Sequence, residues 1–298
     1  MTVIALDIGG TKISAALIKN DLFKIKSIRI PTRAKKGKKY VLDSLTIVIK
    51  SLLQTKYVVT AIACSVPGIV SDSGVLLSCG NLPSGFKGFN LKLYLETKFK
   101  VPVVIENDAN CFALAESYCG AGKKYNQVLG VIWGSGVGAG YVHKNQHAIH
   151  RVISRDRSHS FFLRGRDGGA LELGEIPIKI GNTFVSLEEE VGGIMLTKKH
   201  KVDNVSLLFE KKPLIANKVI ERFAQGLAIA ISLFNPQVIV LGGGVSNMDK
   251  KYYALLTNKV RKLVFTSAHK KNLKILKYAI SDDAGLIGAA LLALKKKL

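Results

Sequence analysis

Three glycine-rich turns and one carboxylate at a strand-to-helix junction carry the chemistry this chain offers. Asp7-Ile8-Gly9-Gly10-Thr11-Lys12 joins two apolar runs, 2–6 and 13–18, as a hairpin turn would. Gly9 and Gly10 leave backbone N–H groups uncovered, so phosphate oxygens can approach, and Thr11 and Lys12 add donors. Asp7 could hold a magnesium ion through water, since hard cations prefer oxygen ligands. An ordinary glycine hairpin would read the same way.

Gly134-Ser135-Gly136-Val137-Gly138 forms a second candidate cradle. A dinucleotide fingerprint would need Gly-x-Gly-x-x-Gly opening a helix. Here Tyr141 and Val142 continue as strand, so this too reads as a hairpin. Gly242-Gly243-Gly244 ends the apolar run 238–241 and lets a flat purine or a ribose lie against backbone. Asp108 follows the strand 101–105 and precedes a helical pattern at 109–118. A carboxylate there can take a proton from a hydroxyl nucleophile, or it can cap the helix. Asn107 can donate to and accept from sugar hydroxyls. Glu172, Glu175 and the run Glu188 to Glu190 add carboxylates suited to polyol hydroxyls. Two of the last three are expected on a solvated helix face.

Positioning these residues requires alternating strands and helices. Besides the runs above, 58–64 and 128–133 read as strands, and 40–53, 91–99, 218–234 and 286–294 as helices. Each half begins with a strand that runs into glycines. This predicts two α/β lobes around a cleft, with ligands where strand ends open into turns. The expected division is 1–106 plus 284–298 for a smaller N-terminal lobe and 107–283 for a larger one.

The 298 residues, 48% hydrophobic and 22% charged, exclude a disordered, collagen-like or coiled-coil chain. Cys64, Cys79, Cys111 and Cys119 show no metal-ligand spacing and suit a reducing compartment. The start MTVIALDIGG lacks a signal-type pattern, so a cytoplasmic protein is expected, without a membrane span. The net charge of +23 favours polyanions, or else reflects a lysine-rich composition, because the lysines are scattered. The stretch 147–166, with its arginines and histidines, reads as a long basic loop beside the cleft.

The order of motifs is more specific than any one of them. Asp-x-Gly-Gly-Thr-Lys, Val-Pro-Gly, Asn-Leu-Pro, Asn-Asp-Ala-Asn, Gly-Ser-Gly-Val-Gly and Gly-Gly-Gly follow one another between positions 4 and 290. This resembles the ROK family of repressors and sugar kinases, within the hexokinase–actin–chaperone superfamily. The resemblance implies a two-lobed actin-like ATPase (ribonuclease H-like) α/β fold, each lobe on a mixed sheet, closing over ATP and a hexose. It implies phosphate hairpins at Asp7, Gly9, Gly10, Thr11, Lys12 and at Gly134, Ser135, Gly136, Gly138, and an adenosine motif at Gly242, Gly243, Gly244. It makes Asp108 the catalytic base and places Gly68, Asn81, Asn107, Glu172, Glu175 and Glu188 on the sugar side. Two departures stand out. Glu175 occupies the position of the family's histidine, and 176–187 contains no cysteine, so no Cys₃His zinc site is expected.

The expected activity is ATP- and magnesium-dependent phosphorylation of a hexose or N-acetylated amino sugar at its 6-hydroxyl, by a homodimer that binds neither membrane nor nucleic acid. Two alternatives are a sugar-sensing ROK regulator and a catalytically dead sugar-binding homologue. Family repressors carry an N-terminal helix-turn-helix, for which no room is expected before Asp7, and Asp108 argues against a dead homologue. Polyphosphate in place of ATP is a further alternative, suggested by the charge.

Overall fold

The computed structural model describes residues 1–144, 161–162, 171–280 and 282–295. Apart from Phe161–Phe162, the basic stretch 147–166 lies outside the described residues. The chain runs through β1 (Thr2–Ile8), β2 (Lys12–Lys19), β3 (Lys24–Pro31), α1 (Lys38–Leu53), β4 (Val59–Val66), α2 (Leu91–Phe99), β5 (Val103–Asn107) and α3 (Asp108–Cys119). Then come β6 (Gln127–Trp133), β7 (Val137–His143), β8 (Phe161–Phe162), β9 (Pro177–Ile180), β10 (Thr183–Ser186), α4 (Leu187–Val191), α5 (Gly193–His200) and α6 (Val205–Lys211). The last elements are α7 (Pro213–Phe234), β11 (Val238–Gly242), α8 (Lys250–Leu263), α9 (Ser267–Asn272), β12 (Ile275–Lys277) and α10 (Ala284–Lys295). The described residues form two compact units, 1–115 with 161–162, 280 and 282–295, and 116–144 with 171–279.

The first unit is built on a mixed sheet in the order β3-β2-β1-β4-β5. Strand side chains alternate between faces. Ile4, Leu6 and Ile8 therefore point together and pack with Val41, Leu45, Val48, Ile49 and Leu52 of α1. The other face carries Val3, Ala5 and Asp7, and α10 packs across β1 and β4. That helix is rich in alanine and glycine, so it can lie close to the sheet. Gly288 lets it approach α3 as well: an added Cβ would stand 2.0 Å from the carbonyl oxygen of Cys111. Strand β3 has no counterpart in the sequence reading. Its exposed Lys24, Lys26 and Arg29 interrupt the apolar signal, while Ile25, Ile28 and Ile30 pack inward as the edge of the sheet.

The second unit holds the strands β12-β11-β6-β7 in that order, in which β6 and β7 are antiparallel and β11 is parallel to β6 and β12. Its core centres on Trp133, fully buried and stacked on Phe223 of α7 with ring centroids 3.8 Å apart. Fully burying such a side chain contributes about 3 kcal/mol. The indole N–H donates to the Val191 carbonyl at 2.8 Å, which satisfies the one polar atom taken inside. Helix α7 starts with Pro213 and stops at Asn235 in the left-handed region, so proline and asparagine punctuate it as they usually do. The helices α5, α6, α8 and α9 run through charged sequence and have no counterpart in the sequence reading, whereas α4 carries the glutamate run expected on a helix face.

Candidate active site

The candidate residues fall into two groups, one in each unit. In the first, β1 and β2 pair in register from Thr2 opposite Lys19 to Ile8 opposite Ile13, leaving Gly9-Gly10-Thr11 as the turn. The Gly9 N–H donates to the Lys12 carbonyl at 3.0 Å. Thr32, fully buried, braces the turn: its hydroxyl donates to the Gly9 carbonyl at 2.6 Å and its N–H to the Thr11 carbonyl at 3.0 Å. Gly10 lies against the Asn81 backbone, where an added Cβ would come within 2.8 Å of the carbonyl oxygen. Lys12 pairs with Asp282 at 3.0 Å and Arg29 stands 3.5 Å from the same carboxylate. These side chains are about half exposed, so the pairs contribute at most about 1 kcal/mol each. The Lys12 hydrogen bond holds the Asp282 carboxyl below its usual range.

Asp7 sits at the end of β1, beneath the start of α10. Gly285 permits that approach, because a Cβ there would stand 2.5 Å from the Asp7 carboxyl carbon. Burial pushes the Asp7 carboxyl up, and Lys12 pulls against it. Burial also pushes the Cys64 and Cys111 thiols up, so both are inert structural groups.

The junction after β5 resolves the choice left open for the cap. Asn107 is buried, and its Oδ1 accepts from the N–H groups of Ala109 at 2.7 Å and Asn110 at 3.2 Å. Its Nδ2 donates to the Gly68 carbonyl at 2.8 Å. Asn107 is thus the N-cap of α3, and Asp108, half-buried, stands in the first helical turn. There its Oδ1 accepts from the Ala109 N–H at 2.8 Å. Gly68 has φ +93° and lies against the Ser78 carbonyl, so the Pro67-Gly68 turn and the 78–81 segment form one loop. Gly68, Asn81, Asn107 and the Gly9–Lys12 turn are thereby linked in the first unit. Ser14, Ser65, Thr32, Asp282 and Gly285 also belong to this group, and sequence reasoning passed over them. The Pro31-Thr32 ending of β3 and the Asp282-Asp283 pair before the last helix were the signals available.

In the second unit, Gly134-Ser135-Gly136 turns between β6 and β7 as expected, closed by the Gly134 N–H on the Gly136 carbonyl at 3.0 Å. Its outward carbonyls are taken by the first amides of α5, Gly193 to Gly134 at 2.8 Å and Ile194 to Ser135 at 3.0 Å. Glu188 lies against the turn, and its Oε2 accepts from the Val137 N–H at 2.6 Å. Both Gly136 and Gly174 are needed here, since a Cβ would reach that oxygen at 2.3 and 3.2 Å. The three consecutive glutamates have separate tasks. Glu189 completes a capping box with Ser186, Glu190 pairs with Lys199 at 2.8 Å, and Glu188 turns to the hairpin. Glu172 precedes a single 3₁₀ turn and Glu175 ends it. Burial first, then the charges of Glu175 and Glu188, push the Glu172 carboxyl up.

Gly243, at φ +84°, presses on the Trp133 carbonyl, which joins the third glycine motif to the second. The Ser246 hydroxyl donates to the Gly243 carbonyl at 2.6 Å. Beside this motif is a cavity of about 200 Å³ lined in part by Phe209, Val245, Asn247, Met248 and Tyr252. Among the described residues, no group of three or more His, Cys, Asp or Glu side chains could hold a metal by direct ligation, and no helix is long and apolar enough to cross a membrane.

The family model described as ROK family matches residues 3–151 and 186–296. The N-acetyl-D-glucosamine kinase of Vibrio cholerae is 32% identical, over 97% of this chain and 98% of that protein. The Haemophilus influenzae protein of the same name is 30% identical over 98% and 99%. Among solved structures, the ROK hexokinase of Thermus thermophilus superposes with a TM-score of 0.79 at 27% identity, covering 98% of this chain and 97% of that one. The mixed α/β architecture is that of the ROK sugar kinases, the actin-like ATPase fold expected from the motifs.

Proposed function

The chain belongs to the ROK family, and on that premise we propose that it transfers a phosphoryl group from ATP to the 6-hydroxyl of a hexose or N-acetylated amino sugar. The names of the two bacterial relatives support a sugar kinase and lean toward the N-acetylated sugar. The observation that carries the reading is the division of labour at β5 and α3. Asn107 Oδ1 takes the N–H groups of both Ala109 and Asn110, so α3 keeps its cap without Asp108, whose Oδ1 shares only the Ala109 N–H.

Asp108 takes the proton of the attacking hydroxyl as the new O–P bond forms and ADP leaves. Such a base typically contributes ~10²–10⁴-fold. Asn107, already committed through its Oδ1, offers a sugar its remaining amide N–H. Glu172, Glu175 and Glu188 receive ring hydroxyls. The Gly9–Lys12 and Gly134–Gly138 turns present backbone N–H groups to phosphate oxygens, and Lys12 exchanges Asp282 for phosphate. The 242–244 glycines and the cavity beside them accept adenosine.

The residues around Asp7 fit a hydrated divalent cation. The Ser65 hydroxyl, beside Asp7 in the sheet, and the Lys12 charge both favour the ionised carboxylate that a cation needs. When bound, the cation offsets charge on the transferring phosphoryl group. A coupled ADP-release screen over glucose, mannose, fructose, N-acetylglucosamine and N-acetylmannosamine tests the proposal. Turnover on at least one sugar is expected. No turnover on any of them, with DNA binding in a mobility-shift assay, would replace it with a regulator.

A further inference from the structure

The glycine turn between β6 and β7 is held at three of its atoms by one short stretch of chain. The Gly134 and Ser135 carbonyls accept from the Gly193 and Ile194 N–H groups at 2.8 and 3.0 Å, and the Val137 N–H donates to Glu188 Oε2 at 2.6 Å. The N–H groups of Ser135 and Gly136 have no partner among the described residues, so they are the ones left to face a phosphate. A turn built on glycines has wide conformational freedom, and fixing it only when a ligand arrives costs affinity. Glu188 makes the one side-chain bond among the three that fix it beforehand. Glu188 is itself held fast. Helix α4 has five residues, too few to stand alone in water. Leu187 and Val191 bury its inner side, and Leu187 packs on Gly226 of α7, where an added Cβ would collide with it. The Trp133 indole N–H fixes the Val191 carbonyl, and the Ser186–Glu189 box fixes the first turn. The Glu188 carboxylate then lies between Gly136 of the phosphate turn and Gly174 of the 3₁₀ turn that Glu172 precedes, and neither glycine has room for a side chain.

We propose that Glu188 is a positioning residue for the phosphate donor: it holds the Val137 N–H, so that the Ser135 and Gly136 N–H groups stay aimed at phosphate whether or not sugar is present. Its charge, unfavourable beside phosphate, serves the sugar hydroxyl assigned to it above. The inference rests on the kinase reading and adds that a residue placed there on the sugar side also sets donor affinity, through the turn.

The test is calorimetric binding of the non-hydrolysable ATP analogue AMPPNP with Mg²⁺, and of adenosine, both without sugar, to wild type, Glu188→Ala, Glu188→Asp, Glu188→Gln and Glu190→Ala. Glu188→Ala and Glu188→Asp should lose about tenfold in AMPPNP affinity, the low end of what a hydrogen bond to a charged group is worth, and keep their adenosine affinity. Aspartate keeps the charge but is one methylene too short to reach Val137. Glutamine keeps an acceptor oxygen at the right length, so Glu188→Gln should bind AMPPNP as well as wild type or better. A residue that touches only sugar would move none of these affinities, and one that merely stabilises the unit would lower adenosine binding as well. Glu190→Ala, which removes only the pair with Lys199 from the same helix, should bind as wild type does. Unchanged AMPPNP affinity in Glu188→Asp overturns the proposal, as does an equal loss for adenosine, or an equal loss in Glu188→Gln or Glu190→Ala. If wild type binds neither AMPPNP nor adenosine, the kinase reading fails and this inference with it.

Discussion

Gly243→Ala is the sharpest probe of how the two glycine motifs of the second unit support one another. Gly243 has φ +84° and ψ 170°, a region essentially reserved for glycine. Placing alanine there costs about 1–3 kcal/mol in backbone strain. The new Cβ would also stand 2.5 Å from the Trp133 carbonyl oxygen and 2.9 Å from the Gly134 nitrogen. Both are backbone atoms at the start of the phosphate hairpin, so neither can swing aside, and overpacking adds about 1–3 kcal/mol. Together the two effects cost about 2–6 kcal/mol. At about 3 °C per kcal/mol for a unit of this size, the melting temperature should fall by roughly 6–18 °C. Gly244→Ala is the internal control. It has nothing within 4 Å of an added Cβ and a backbone that alanine can adopt, so its melting temperature should stay within about 2 °C of wild type. Calorimetry of both variants, with ATP affinity measured on each, decides the matter. A Gly243→Ala protein as stable as Gly244→Ala would show that the hairpin is soft and that the two motifs are not rigidly joined.

Other perturbations reach the remaining parts of the site. Asp108→Asn should keep the fold and sugar binding but lower kcat ~10²–10⁴-fold, since the amide cannot take the proton; retention of half the activity would make Asp108 a structural residue. Thr32→Val should destabilise by about 1–3 kcal/mol in urea denaturation and weaken ADP binding, because the Gly9 carbonyl loses its 2.6 Å partner. Glu175→Gln should stabilise the protein at neutral pH. Glu172 has its carboxyl pushed up in the folded chain, so it costs stability as pH rises past its unfolded value, and removing a neighbouring charge relieves part of that cost. The gain should fade as pH falls below about 4, the ordinary glutamate value, since Glu172 is then protonated in both the folded and unfolded chain, and equal gains at neutral and low pH would refute the electrostatic account. A zinc chelator should leave the melting temperature unchanged, and a fall would reveal a site outside the described residues.

What could be read from the sequence was local. The turns at 9–11 and 134–136 follow from glycines between β-branched runs, and helix α1 from its spacing, because these patterns depend on neighbours a few residues away. The order of the motifs was enough to indicate the family. Asp108 stayed open between base and N-cap of α3, because the sequence does not show that Asn107 takes the cap. Only the Gly68 carbonyl, 39 residues away, fixes which of the two turns inward. Strand β3 was hidden because an edge strand shows its lysines to solvent and only half its pattern to the core.

Tertiary structure decided everything that depends on register or close approach. Ser14, Asp7, Ser65 and Glu106 are far apart in the chain, and strand pairing alone sets them in one row. Gly285 reads as an ordinary helix residue until α10 is laid over Asp7, where any side chain would collide with the carboxyl group. Glu188, Glu189 and Glu190 are identical in type and adjacent in sequence, yet one meets the hairpin, one caps its own helix and one pairs with Lys199. The physical reason is the same in each case. Residue type sets what a group can bond to, but the partner is chosen by distance in space, and that distance exists only once the sheets and helices have packed.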